Sequence, residues 1–404
     1  MSLSLSPRRN YALVTAAYWA FTLTDGALRM LVLLHFNALG YTPVQLAFLF
    51  LFYEFFGIVT NLFGGYLAAR LGLKVTLTFG LALQIIALAA LAGLQPGWSI
   101  PASVALVMAC QALSGVAKDL TKMSAKSFIK VLIPEDAKGS LFKWVALLTG
   151  SKNALKGVGF FVGGVLLAWL GFQGALLAMA VALVAVFIGA QVSLQPGLGR
   201  TKAKPQFKQM FSTNRNVNVL SAARFFLFGA RDVWFVVGVP VFLYGLGWSF
   251  TQVGAFLALW VIGYGIVQSF APLLVGGWTG GAAASVRSLP ALAFLLAAVT
   301  AAVAIGLHAA LQPTALIIGG LALFGAIFAI TSSAHSYLIL AYSDGDKVAM
   351  NVGFYYMSNA GGRLAGTLLS GLLFQQAGVS GCLWGSVAFA ALAGLFSLQL
   401  PRSA

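Results

Sequence analysis

Apolar runs long enough to cross a bilayer follow one another along nearly the whole chain, separated by short polar turns. A helix rises 1.5 Å per residue and the hydrocarbon layer is about 30 Å thick, so about 20 apolar residues make one crossing. Such runs lie near residues 11–38, 43–68, 75–95, 101–123, 141–170, 172–194, 217–245, 250–275, 289–311, 314–341, 349–376 and 380–400. In hydrocarbon each segment must satisfy its own backbone polar groups, which leaves the helix as the reading for every run. An all-α membrane protein of twelve transmembrane helices is therefore expected. With 60% hydrophobic and 8% charged residues among 404, an ordinary soluble domain is excluded. Arg8 and Arg9 precede the first run as in a secretory signal, but that run continues beyond Leu34 and contains Asp25 and Arg29. It reads as an uncleaved first span.

The longest connection, 195–216, holds Pro196, Arg200, Lys202, Lys204, Pro205, Lys208 and Arg215. It divides the chain into a first six-helix half, 1–194, and a second, 217–404, with a basic linker between them. The turns after the odd-numbered spans carry no Lys or Arg, while the opposite side holds Arg70, Lys74, Lys126, Lys130, Lys138, the linker bases, Arg287 and Lys347. By the positive-inside rule both termini and the linker are cytoplasmic. The halves also repeat. At an offset of 207, Asp25 meets Asp232, Gly40 meets Gly247 and Gln45 meets Gln252, and GYTPVQ pairs with GWSFTQ.

Charge inside the spans is the next constraint. A lone charge at the bilayer centre costs roughly 2.5–3.5 kcal/mol on insertion scales, so it must face a polar interior. Lys118 and Lys122 stand in VMACQALSGVAKDLTKMSAK, Lys152 and Lys156 in LLTGSKNALKGVGFFVGGVLLAWLG, Arg231 in ARFFLFGARDVWFVVGVPVFLYG, Arg363 in FYYMSNAGGRLAGTLLSGLLF, and Arg29 in the first span. The acids among them are Asp25, Glu54, Asp119 and Asp232. Bases predominate, and the interior reads as a cavity for an anion. A net charge of +16 does not point to nucleic acid, because the basic residues are interleaved with spans and form no soluble domain.

Two readings stand for each of these residues. Lys118 and Lys122 either snorkel toward the inner interface or reach the cavity. Lys152 and Lys156 lie mid-span, where they contact an anion or pair with Asp25, Glu54 or Asp119. Asp25 and Arg29, four apart, form a pair, or Arg29 binds a phosphoryl group. Glu54, with Asn61 two turns away, is a candidate proton carrier, as is Asp25. Arg231 either pairs with Asp232 or binds substrate; Arg224 lies two turns before it. On span 11, Asn351, Tyr355, Asn359 and Arg363 form a four-residue ladder, with Asn359 and Arg363 as candidate contacts. The glycines of GVGFFVGG permit close helix packing.

The loop after the second span, GGYLAARLGLK, resembles the cytoplasmic signature of the major facilitator superfamily. Gly65, Arg70, Gly72 and Lys74 fit it, and Ala69 stands where an acid is usual. The resemblance implies that superfamily's fold, two six-helix pseudo-repeats with this loop involved in conformational change. More closely, YWAFTLTDGALRMLVLLHF, LFLFYEFFGIVTNLFGG, ALSGVAKDLTKMSAKSFIK and WVALLTGSKNALKGVGFF are similar to the organoarsenical efflux permeases of that superfamily. This implies export of 1-arseno-3-phosphoglycerate, the labile product formed when glyceraldehyde-3-phosphate dehydrogenase uses arsenate in place of phosphate. It also implies a functional link to that dehydrogenase.

Cys110 and Cys382 are single and lie in different halves, which suits a pentavalent arsenate ester, a hard oxyanion, better than thiophilic trivalent arsenic. His35, His308 and His335 make no zinc spacing, and no cofactor or metal is expected. The expectation is a monomeric, multi-pass exporter in a bacterial cytoplasmic membrane, with the lipid bilayer and an anionic small molecule as its partners. Alternating access between the halves would move the cargo, and proton antiport is a candidate because carboxylates lie within the spans. An organophosphate or sugar-phosphate exchanger would use a similar site. A membrane-embedded enzyme would need a nucleophile–base pair or metal cluster, and the sequence displays neither.

Overall fold

The computed structural model describes residues 7–95, 97–132, 138–194, 214–279, 282–342 and 348–401. Among them every regular element is an α-helix: α1 (Pro7–Ala38), α2 (Pro43–Leu71), α3 (Leu73–Ala92), α4 (Ile100–Leu132), α5 (Lys138–Ser193), α6 (Arg215–Phe235), α7 (Gly238–Gly245), α8 (Phe250–Thr279), α9 (Ala282–His308), α10 (Pro313–Ala341) and α11 (Val348–Ser397).

Two of these are bent into two segments each. Gly171 breaks α5 with φ 66° and ψ −176°, and Ala377 with Gly378 (φ 61°) breaks α11. Conversely, α6 and α7 make one crossing, interrupted at Val236 and Val237. The break frees backbone amides that hydrocarbon cannot satisfy. Ser370 on α11 answers it, its Oγ accepting from Val237 N (3.2 Å) and Gly238 N (3.1 Å). Counted in this way the helices are twelve segments, in keeping with the expected number. Nine stretches among the described residues are long and apolar enough to cross a membrane by composition alone, and two of them, 43 and 45 residues long, suffice for two crossings each. The first helix is not among the nine: Thr15, Thr22, Thr24, Asp25 and Arg29 interrupt it, all of them buried.

The repeat is visible in atomic detail. After α1, Gly40 takes φ 82°; after α7, Gly247 takes φ 89°. Gly40 N donates to Asn37 O and Gly247 N to Tyr244 O, both at 3.0 Å. A reciprocal cap then starts the next helix. Thr42 N donates to Gln45 Oε1 (2.9 Å) while Gln45 N donates to Thr42 Oγ1 (3.3 Å). Ser249 and Gln252 do the same at 2.8 and 3.2 Å. This is the capping box, with glutamine in the acceptor role. Every position is shifted by 207, and so are the bends at Gly171 and Gly378.

Packing follows the same rule. In the first half α5 lies on α1, and in the second α11 lies on α6. A methyl group on Gly159 would stand 2.5 Å from Leu23 O, and one on its equivalent, Gly366, 2.9 Å from Gly229 O. Between the halves, α5 meets α8 and α2 meets α11. A methyl on Gly164 would stand 2.6 Å from Phe250 O, and one on Gly371 2.5 Å from Pro43 O. Phe250 and Pro43 are themselves 207 apart. The halves are thus drawn together at the end bearing the two glycine turns. The expected linker lies outside the described residues as far as 213. α6 begins at Arg215, two residues earlier than anticipated, where Asn214 Oδ1 accepts from Asn216 N and Val217 N.

Candidate functional site

Asp25 and Arg29 come from α1, Tyr53 and Glu54 from α2, Lys118, Asp119 and Lys122 from α4, and Lys152 and Lys156 from α5. The second half supplies Arg231 and Asp232 on α6 with Asn359 and Arg363 on α11. Asp25 is held by the Tyr53 hydroxyl, which donates at 2.6 and 2.9 Å, and by Lys156 Nζ at 3.7 Å. Glu54 Oε1 accepts from Arg29 Nη1 (3.2 Å) and from Arg363 Nη2 (2.5 Å), the latter reaching across from the other half. Arg363 also donates through Nε to Asp232 Oδ2 (3.2 Å), and Asp232 pairs with its neighbour Arg231. Asp119 pairs with Lys122 and lies 3.9 Å from Lys118; Lys122 donates to Asn61 Oδ1 at 2.7 Å.

Aromatic rings close the gaps between these pairs. Lys118 Nζ lies 4.0 Å from the Tyr53 ring centroid, and the Arg29 guanidinium 5.6 Å from the same ring and 5.2 Å from Phe50. Arg231 faces Phe228, Phe235 and Phe328 at 4.9–5.8 Å. One connected network therefore runs from Lys156 on α5 to Arg231 on α6, with the Glu54–Arg363 bond as its crossing between halves.

Offset 207 relates part of it as well. Asp25 corresponds to Asp232 and Lys156 to Arg363, and the ion pair is made in both halves. Glu54 falls outside the pattern, since its equivalent is Val261.

Within the bundle the described side chains present eight cations (Arg29, Lys118, Lys122, Lys152, Lys156, Arg224, Arg231, Arg363) against four carboxylates. Exposure differs between most members of the two kinds, Arg29 and Arg224 being buried like the acids. The carboxylate side chains of Glu54 and Asp119 are 0% exposed and Asp232 1%, whereas Lys118, Lys122, Lys156, Arg231 and Arg363 keep 14–17%. Five of the cations thus keep an exposure that three of the four acids lack. A fixed excess of positive charge in a low dielectric attracts anions strongly.

Several expectations are revised by this geometry. Arg29 does not pair with Asp25; Tyr53 and Lys156 occupy Asp25, and Arg29 turns to Glu54. Arg363, with no acid in its own span, finds two on α2 and α6. Neither span-5 lysine makes a described ion pair with Glu54. Asn359 Oδ1 accepts from Arg224 Nε (2.9 Å), and Arg224 Nη1 donates to Ser332 O and Oγ, both at 3.0 Å. Arg224, between the Phe228 and Tyr355 rings, braces α6 against α10 and α11. Sequence reasoning passed over Tyr53 altogether; its position beside Glu54 was the available signal.

In the loop, Gly72 takes φ 90°, a conformation that suits glycine, and Lys74 Nζ donates to Gln191 O and Leu194 O (2.8 and 2.5 Å), tying the loop to the end of α5. The surroundings of Gly65 and the side chain of Arg70 lie outside the described set.

The profile of the Major Facilitator Superfamily matches residues 14–333. No curated protein is matched by sequence. Among solved structures, a D-xylose–proton symporter superposes with a TM-score of 0.73 at 14% identity, covering 98% of this chain and 99% of that one. A bacterial homologue of the iron transporter ferroportin, in an inward-facing state, gives 0.73 at 14% identity over 100% of both chains. A nucleoside transporter gives 0.72 at 12% identity, covering 97% and 98%. At these identities the likeness is one of fold.

Proposed function

The chain belongs to the major facilitator superfamily and is a multi-pass membrane transporter, and on that premise we propose that it exports a phosphorylated organic anion, 1-arseno-3-phosphoglycerate, and thereby confers arsenate resistance. The observation that carries the anion is the excess of eight cations over four carboxylates among the described side chains within the bundle, with paired cations supplied by both halves. A cargo with an arsenyl ester at one end and a phosphate ester at the other suits such a site. Arginine forks meet oxyanions bidentately and lysines meet them as point charges. The arsenical identity rests on the sequence resemblance of the first half.

In this reading the termini lie in the cytoplasm and the glycine turns outside, in a bacterial cytoplasmic membrane; the concentration of Lys and Arg in the loops on one side supports that orientation. Alternating access then opens the cavity to each side in turn. A negative-inside potential helps an anion outward by about 2.3 kcal/mol per charge per 100 mV.

The test is arsenate tolerance in an arsenate-sensitive bacterium. Cells carrying the chain together with a glyceraldehyde-3-phosphate dehydrogenase should tolerate arsenate, and cells carrying the chain without it should not. Cys110→Ala with Cys382→Ala should keep the tolerance. Tolerance without the dehydrogenase would point to export of inorganic arsenate or arsenite instead.

A further inference from the structure

We propose that Glu54 is a built-in stand-in for the anionic cargo: its carboxylate bridges the cations of the two halves so that the transporter can close when empty, and the cargo displaces it on binding. The inference rests on the proposed transport of an anion and specifies how the same site works when nothing is carried.

Three observations carry it. First, Arg29 from one half and Arg363 from the other both donate to the same oxygen, Glu54 Oε1, at 3.2 and 2.5 Å. Two guanidiniums brought that close repel each other unless an anion lies between them. Second, the bridge is incompletely satisfied. Glu54 Oε2 and Arg29 Nη2 are buried with no hydrogen-bond partner, although Glu54 is fully enclosed. A carboxylate that uses one oxygen for two cations leaves donors that a three-oxygen phosphoryl or arsenyl group would fill. Third, Glu54 is an addition to the repeated unit. Each half already balances one base with its own acid, Lys156 with Asp25 and Arg363 with Asp232, and position 261 holds valine. The extra carboxylate is spent on the tie between halves.

The bridge is made while the glycine-turn end is closed, with Gly164 against Phe250 and Gly371 against Pro43. An empty transporter that closes can return and load again, which gives net export. One that needs cargo in order to close can only exchange cargo for cargo.

The experiment uses the full chain in proteoliposomes loaded with radiolabelled 3-phosphoglycerate. Efflux is measured into medium without the probe, and into medium containing unlabelled probe. Glu54→Gln should lower the ratio of net efflux to exchange at least tenfold, and Glu54→Asp should restore most of it. An unchanged ratio in Glu54→Gln, or an equal fall in Glu54→Asp, would overturn the proposal. A second measurement needs no transport. Spin labels at Leu39→Cys and Leu246→Cys, exposed at the two turns, report closure of that end by their separation in a Cys110→Ala, Cys382→Ala background. Without added anion, Glu54→Gln should lose the short-distance population and regain it with millimolar 3-phosphoglycerate. A distance distribution identical to the parent's would count equally against the stand-in role. If the parent moves the probe in neither efflux arm, the cargo reading fails, and the label distances still decide the part played by Glu54.

Discussion

Arg363 uses two nitrogens on two acids from two other helices, Nε on Asp232 and Nη2 on Glu54. A lysine has one nitrogen and a longer, mobile stem, so it can meet one of these carboxylates and leaves the other with a partner fewer. An oxyanion held by both arms of the arginine fork would likewise keep only one contact with a lysine. Arg363→Lys should therefore lower cargo affinity at least tenfold, and Arg363→Gln should abolish detectable binding, with both variants still eluting as folded protein in detergent. Isothermal titration with 3-phosphoglycerate reads this directly; parental affinity in both variants would make Arg363 a tie and nothing more. The sequence announced Arg363 by placing a cation mid-span with no acid on its own helix. It did not announce the partners. Which of four acids a given base selects depends on how far each helix is turned about its axis, and hydropathy does not encode that angle. Spacing of four residues made Asp25–Arg29 look like a pair, yet Tyr53 and Lys156, distant in sequence, took Asp25 instead.

At the scale of the element, turns and bends were the most legible features because their chemistry is local. Gly40 and Gly247, with the Thr42–Gln45 and Ser249–Gln252 caps, stand in the sequence as the same short motif written twice. The contacts between halves were less legible. A glycine in GVGFFVGG announces a close approach but not to which helix, and Gly164 turns out to face α8 while Gly159 faces α1. The α2–α11 contact offers a test. A Cβ on Gly371 would stand 2.5 Å from Ala47 Cβ. A disulfide needs about 3.8 Å between the two Cβ atoms, so Ala47→Cys with Gly371→Cys asks the helices to ease apart only slightly. Mild oxidant should cross-link this pair, stop transport, and have its effect reversed by reductant. Failure to cross-link in membranes would mean that α2 and α11 do not close at this level.

For the molecule as a whole, the offset of 207 is the broadest regularity. It relates turns, bends, close contacts and one ion pair, and it was legible because duplicated segments keep their spacing even where their residues diverge. What it does not relate, Glu54 above all, marks where the halves have taken different tasks. The manner in which charge is shared has a further consequence. Glu54, Asp119 and Asp232 each serve two bases, so the network has a lopsided tolerance of faults. Losing one base leaves its acid still partnered, whereas losing an acid takes the described carboxylate partner from at least one cation in a medium of low dielectric: Arg29 for Glu54, Arg231 for Asp232, Lys118 and Lys122 for Asp119. A saturating mutational scan with separate readouts for membrane abundance and for transport should divide accordingly. Substitutions at the acids should reduce abundance, and those at Lys118, Lys122, Arg231 and Arg29 should spare abundance while abolishing export. The carboxylates would then be the masonry of the cavity and the bases its working surface, free to drift toward new cargoes as long as the acids stay in place.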